Sequence, residues 1–82
     1  MPARYTEEAV LRQLAEALEI DPRSLGKETM SRDVEGWDSL GTMNILFWLN
    51  AEFGIKLDPN ETGRVQSVRG ILDLLAGAGK LS

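Results

Sequence analysis

Apolar residues recur at helical spacing near the start of the chain. One row has the i, i+4, i+8 spacing of a helix face: Val10, Leu14 and Leu18. Thr6 precedes this row and is a typical N-cap residue. We predict a first helix that begins after Thr6 and ends near Ile20, because Pro22 disfavours helical geometry at the residue before it.

The middle of the chain predicts two more helices. Residues 39–53 form an apolar-rich run, and Gly54 follows it at the position where a left-handed residue commonly ends a helix. Asp58-Pro59 has the form of a helix start with proline at the first position. We expect a short third helix from there to about Val65.

The last helix completes an all-α prediction. Ser67 is its N-cap and Gly77-Ala78-Gly79 ends it. Its expected core residues are Val68, Ile71, Leu72 and Leu75. We therefore predict a single four-helix domain over 1–82, with a long first loop and a short third helix. We expect an ordered core over about 5–76 and a frayed tail over 77–82.

The first loop, residues 21–38, is unusually long for so small a domain. Loops of this length are commonly functional. It carries isolated apolar residues that show neither helical nor strand periodicity: Leu25, Met30, Val34 and Trp37. These side chains predict a loop that packs across the helices.

The helix predicted over 39–53 carries two apolar stripes, whereas a surface helix usually carries one. The stripe assigned to the core contains Ile45, Leu46, Leu49 and Phe53. The second stripe contains Leu40, Met43 and Phe47, and Trp48 falls on the flank between the two. A small domain cannot easily bury a helix on all sides. We therefore expect the long loop, a ligand or a partner protein to cover the second stripe. The loop accounts for Trp48, Phe47 fits the loop or a partner equally, and Leu40 and Met43 favour a partner.

Composition excludes several function classes. Nine Lys and Arg against thirteen Asp and Glu give 9 − 13 = −4, which argues against nucleic-acid binding and favours a partner with a basic surface. There is no Cys, hence no thiol nucleophile or thiolate metal site, and no His, the commonest general base. We do not expect an enzyme. No segment resembles a signal peptide or a membrane span, which predicts a cytoplasmic protein.

Ser39 stands where the long loop meets the second helix. A serine at a helix start usually caps it, and that reading applies to most Asp-Ser pairs. A phosphate esterified to a hydroxyl at this position would, however, lie at the positive end of the helix dipole.

Gly36-Trp37-Asp38-Ser39-Leu40 resembles the Asp-Ser-Leu attachment motif of acyl carrier proteins. The resemblance continues through residues 50–57 and 65–68 and covers nearly the whole chain from Thr6 to Leu75. It implies that Ser39, flanked by Asp38 and Leu40, receives 4′-phosphopantetheine from coenzyme A. The arm's thiol would then hold an acyl or aminoacyl group as a thioester.

The resemblance also implies the partners of a free-standing, monomeric carrier. These are a Mg²⁺-dependent phosphopantetheinyl transferase, an acyl- or aminoacyl-activating ligase or synthase, and a downstream acyltransferase. Carriers of fatty acid synthesis often have several acids along the second helix, where this chain has only Glu52. The run 41–46 is closer to that of D-alanyl carrier proteins. We therefore expect recognition that is partly apolar, through Leu40, Met43, Asn44 and Phe47.

Other functions fit the residues less well. Asp33-Val34-Glu35-Gly36-Trp37-Asp38 fails as a calcium loop, because its fifth position is Trp37 and its sixth is Asp38. Gly79-Lys80 lacks the leading glycine and the Ser/Thr of a phosphate loop, and we predict no metal site. The remaining alternative is an unmodified helical interaction module in which Ser39 is only a helix cap.

Overall fold

The computed structural model describes residues 5–81, and this range contains the predicted all-α architecture. The structure has three α-helices, α1 (Glu7–Leu18), α2 (Ser39–Phe53) and α3 (Val68–Gly77). A 3-10 helix between α2 and α3, Pro59–Val65, supplies the predicted short third helix. The long first loop contains two 3-10 turns, Pro22–Ser24 and Ser31–Asp33. Within the described range there is no strand.

Side-chain caps set the predicted helix starts. The Thr6 hydroxyl accepts a hydrogen bond from the Ala9 amide at 3.1 Å, and the Ser67 hydroxyl accepts one from the Gly70 amide at 3.0 Å. The prediction that the first helix ends near Ile20 was two residues too long. Glu19 takes the left-handed conformation, and the Ile20 amide bonds back to the Ala15 carbonyl at 2.9 Å. This closure turns Ile20 inward against the core.

The core lies where α1, α2 and α3 meet. Its fully buried side chains come from all three α-helices and the 3-10 helix: Val10, Leu14, Ala15, Ile45, Leu49, Val65, Val68, Ile71 and Leu75. The core stripe predicted for α2 is confirmed at Ile45 and Leu49. Leu46 and Phe53 lie at its edge and are half-buried.

The long loop packs across the helices as predicted. Leu25 and Trp37 are buried, whereas Met30 is 39% exposed and anchors the loop less than expected. Backbone hydrogen bonds join this loop to the segment before α3, from the Ser31 amide to the Gln66 carbonyl at 2.8 Å and from the Val68 amide to the Thr29 carbonyl at 3.0 Å. Trp37 enters the core directly before α2 begins. The loop therefore positions the first residues of α2.

Aromatic side chains, rather than the long loop, cover Trp48. The Trp48 ring packs edge-on against Tyr5 and Phe53, with centroid distances of 6.0 Å and 5.3 Å. Tyr5 and Phe53 are themselves 5.1 Å apart. Assigning Trp48 to the loop was wrong, because the segment before α1 returns to this side of α2.

The C-terminal segment differs from the frayed tail predicted for 77–82. The Lys80 amide bonds to the Leu75 carbonyl at 2.9 Å, and the Lys80 carbonyl accepts the Tyr5 amide at 2.9 Å. Leu81 is half-buried against the core. These contacts hold residues 77–81 because the two ends of the described chain pair with each other; Ser82 lies outside the described residues.

Candidate functional site

Ser39 is the first residue of α2, and its side chain is exposed. The N-cap is Asp38, in an extended conformation, and its carboxylate accepts the Gly41 amide at 3.0 Å. Ser39 is therefore not the residue that caps α2, because Asp38 already performs that task. The Ser39 hydroxyl lies at the helix start without being used to cap it.

A close approach of backbones holds this helix start in place. A Cβ atom added to Gly41 would lie 2.7 Å from the Gly36 carbonyl oxygen and 2.7 Å from a methyl group of Leu18. Only glycine permits this contact between α2, α1 and the loop. Sequence reasoning missed the role of Gly41. The signal that could have found it is a glycine in the first turn of a helix, where it weakens helix formation.

A second missed contact ties the same turn of α2 to Gln66, the residue that follows the 3-10 helix Pro59–Val65. Thr42 is buried, and its hydroxyl accepts a hydrogen bond from the Gln66 side-chain amide at 3.2 Å. A buried polar side chain is stable only when such a partner is present. Gly41 and Thr42 therefore fix the turn that carries Ser39 on two sides.

The electrostatics of the helix start favour an anion. The amides of Ser39 and Leu40 have no intrahelical carbonyl to bond to, since these are first-turn positions. They lie at the positive end of the α2 dipole. The Asp38 carboxylate is engaged by Gly41. The site therefore suits a phosphate ester on the Ser39 hydroxyl.

The second apolar stripe of α2 is open to solvent. Leu40, Met43 and Phe47 are 68%, 52% and 67% exposed, and we call these three residues the apolar face. Asn44 does not join them. Its side-chain amide donates to the Ala17 carbonyl at 3.2 Å and ties α2 to the end of α1.

A shallow groove of about 430 Å³ continues from the apolar face toward the end of α2. Side chains from α2 form one wall and the extended link after Gly54 forms the other: Met43, Leu46, Phe47, Asn50, Ile55, Lys56 and Leu57. Residues 5–81 hold no group of three or more metal-ligating side chains arranged for a metal ion. Over the same range, no helix has the length and apolar character needed to cross a membrane.

Comparison with known proteins assigns the family. The sequence model of the family described as "Phosphopantetheine attachment site" matches residues 8–75, which span α1 through most of α3 and include Ser39. No curated protein and no solved structure matches the chain significantly. The matched residues cover more than half of the chain, and the all-α fold agrees with the match. The chain therefore belongs to the family of carrier domains that bear covalently attached 4′-phosphopantetheine.

Proposed function

We propose that Ser39 carries the phosphopantetheine arm and that the domain presents an acyl or aminoacyl thioester on it to partner enzymes. The observation that carries this proposal is the exposed Ser39 hydroxyl at the first position of α2, with the capping task left to Asp38. The hydroxyl can react without unfolding the helix start. The phosphate then meets the positive end of the helix dipole.

The transfer balances with coenzyme A as donor. The Ser39 oxygen attacks the phosphorus next to the pantetheine in the pyrophosphate of coenzyme A. The bond from that phosphorus to the bridging oxygen breaks, and adenosine 3′,5′-bisphosphate leaves. The serine proton passes to a base of the phosphopantetheinyl transferase, since the chain has no His. The thiol that later holds the cargo arrives with the arm, which fits a chain without Cys.

The proposal includes the surface that partners contact. The transferase, an activating ligase or synthase, and a downstream acyltransferase must each reach Ser39. The apolar face lies within about two turns of Ser39 on the same helix. We assign partner contact to Leu40, Met43 and Phe47. Asn44 is left out because its amide is used against α1.

Mass spectrometry tests the attachment site. The chain is incubated with coenzyme A, Mg²⁺ and a phosphopantetheinyl transferase, and the modified residue is located by fragmentation. We expect one phosphopantetheine on the parent and on Ser24→Ala, the matched control at an exposed serine, and none on Ser39→Ala. Modification of Ser39→Ala would refute the assignment.

The folding control for this test follows from the cap. Because Asp38 and not Ser39 caps α2, Ser39→Ala should change the free energy of unfolding by less than about 0.5 kcal/mol. Asp38→Ala should cost about 1 kcal/mol. A lost modification in a folded Ser39→Ala variant then reports on the chemistry and not on the fold.

A further inference from the structure

Among the described residues that line the groove beside the apolar face, one is charged, Lys56. Its other lining residues are apolar, apart from the Asn50 amide. Lys56 is exposed and makes no ion pair with any residue of the range 5–81. The local charge of the groove is therefore opposite in sign to the net charge of the chain.

The carboxylates near α2 are turned away from this groove. Glu52 is the only acidic residue within α2 and lies on the same side of the helix as Trp48, one turn after it. Its carboxylate accepts a hydrogen bond from the Tyr5 hydroxyl. Burial, and next the Glu52 carboxylate, raise the pKa of Tyr5, in agreement with that placement. Asp38 caps the opposite end of α2, and Asp58 does not line the groove. None of the described residues that line the groove is acidic.

The groove shares Met43 and Phe47 with the apolar face. Along the axis of α2, Met43 is roughly 6 Å from Ser39 and Asn50 is about 16 Å from it. A partner that covers the apolar face therefore extends over the groove. When a partner covers exposed apolar side chains, their desolvation slows its dissociation. A charge at the rim of the contact affects the association rate and determines which partners are favoured.

We infer that this groove docks a protein segment whose apolar side chains contact Met43, Phe47 and Leu57 and whose carboxylate lies beside Lys56. The inference rests on the proposed function, because a carrier must be bound by the enzymes that act on it. It deepens that function by giving the partner's contact site an acidic charge, where the net charge of −4 alone suggests a basic one.

A pair of synthetic peptides tests the inference. Both are the same short amphipathic helix with leucines on one face, and they differ only in one flanking residue, Glu or Lys. Each is titrated into ¹⁵N-labelled Ser39→Ala protein while the amide resonances are followed. We expect shifts at Met43, Phe47 and Leu57, with the Glu peptide binding about two- to fivefold more tightly than the Lys peptide at low salt. Lys56→Glu should reverse this preference.

Arg32→Glu is the charge control, because Arg32 is an exposed cation in the long loop outside the groove. It should leave the preference unchanged. Equal affinity for the two peptides, no binding of either, or shifts centred away from the groove would overturn the inference. The inference would also be overturned if a medium-length acyl thioester on the parent protein shifted the same amide resonances and blocked binding of the Glu peptide, because the acyl chain would then be the occupant of the groove. Since the titrated protein lacks the Ser39 hydroxyl, its result is independent of where the arm attaches.

Discussion

Replacing Gly41 with alanine tests how the start of α2 is held. The added methyl group would lie 2.7 Å from both the Gly36 carbonyl oxygen and a Leu18 methyl group. Real Cβ atoms do not approach this closely, so the loop or α1 must move. Overpacking of this kind typically costs about 1–3 kcal/mol. Alanine also stabilises a helix by up to about 1 kcal/mol relative to glycine, which offsets part of that cost.

Gly77→Ala is the matched control, because Gly77 is a helical glycine at the end of α3 with nothing within 4 Å of its added Cβ. It should be neutral or stabilising. The difference between the two variants isolates the clash, and we expect Gly41→Ala to be less stable than Gly77→Ala by about 1–3 kcal/mol.

Urea unfolding followed by tryptophan fluorescence measures this difference, since Trp37 is buried next to the site. The midpoint of Gly41→Ala should lie roughly 1 M below that of Gly77→Ala, given the usual slope for small proteins. If Gly41→Ala is as stable as the control, the close contact between α2, α1 and the loop does not exist in solution. The explanation of how Ser39 is positioned would then fail.

Two further predictions separate the two stripes of α2. Leu49→Ala, at a fully buried site, should cost about 2–5 kcal/mol, whereas Phe47→Ala, at an exposed site, should cost less than about 0.5 kcal/mol in the same urea experiment. A larger cost for Phe47→Ala than for Leu49→Ala would mean that the stripes are exchanged. Met43→Ala should slow thioester loading by the cognate ligase more than Glu52→Gln does, because Glu52 lies on the other side of α2. Loading rates of the parent and both variants, measured at low and high salt, check this. The prediction is contradicted if high salt abolishes loading of the parent and Glu52→Gln slows loading more than Met43→Ala does.

The ends of the helices could be predicted from the sequence where the signals are local. A cap such as Thr6, Asp38 or Ser67 bonds to an amide three residues away, so a short window contains the whole interaction. Gly54 and Gly79 mark left-handed turns for the same reason. Glu19 was missed because a glutamate carries no such preference, and only the inward packing of Ile20 explains the turn there.

The attachment motif and the two apolar stripes of α2 were also evident from the sequence, because motif and periodicity are properties of neighbouring positions. Tertiary structure decided what each side of α2 contacts. The Asn44 amide reaches a carbonyl 27 residues away, and Tyr5 meets Lys80, Trp48 and Glu52 across most of the chain. Such contacts form because helix packing brings together residues that are far apart in the sequence. A short sequence window therefore does not contain both partners. For that reason the sequence could point to Ser39 and to the second stripe beside it. Only the fold shows that this stripe is open to solvent and that Lys56 is the one charged side chain among the described residues that line the groove.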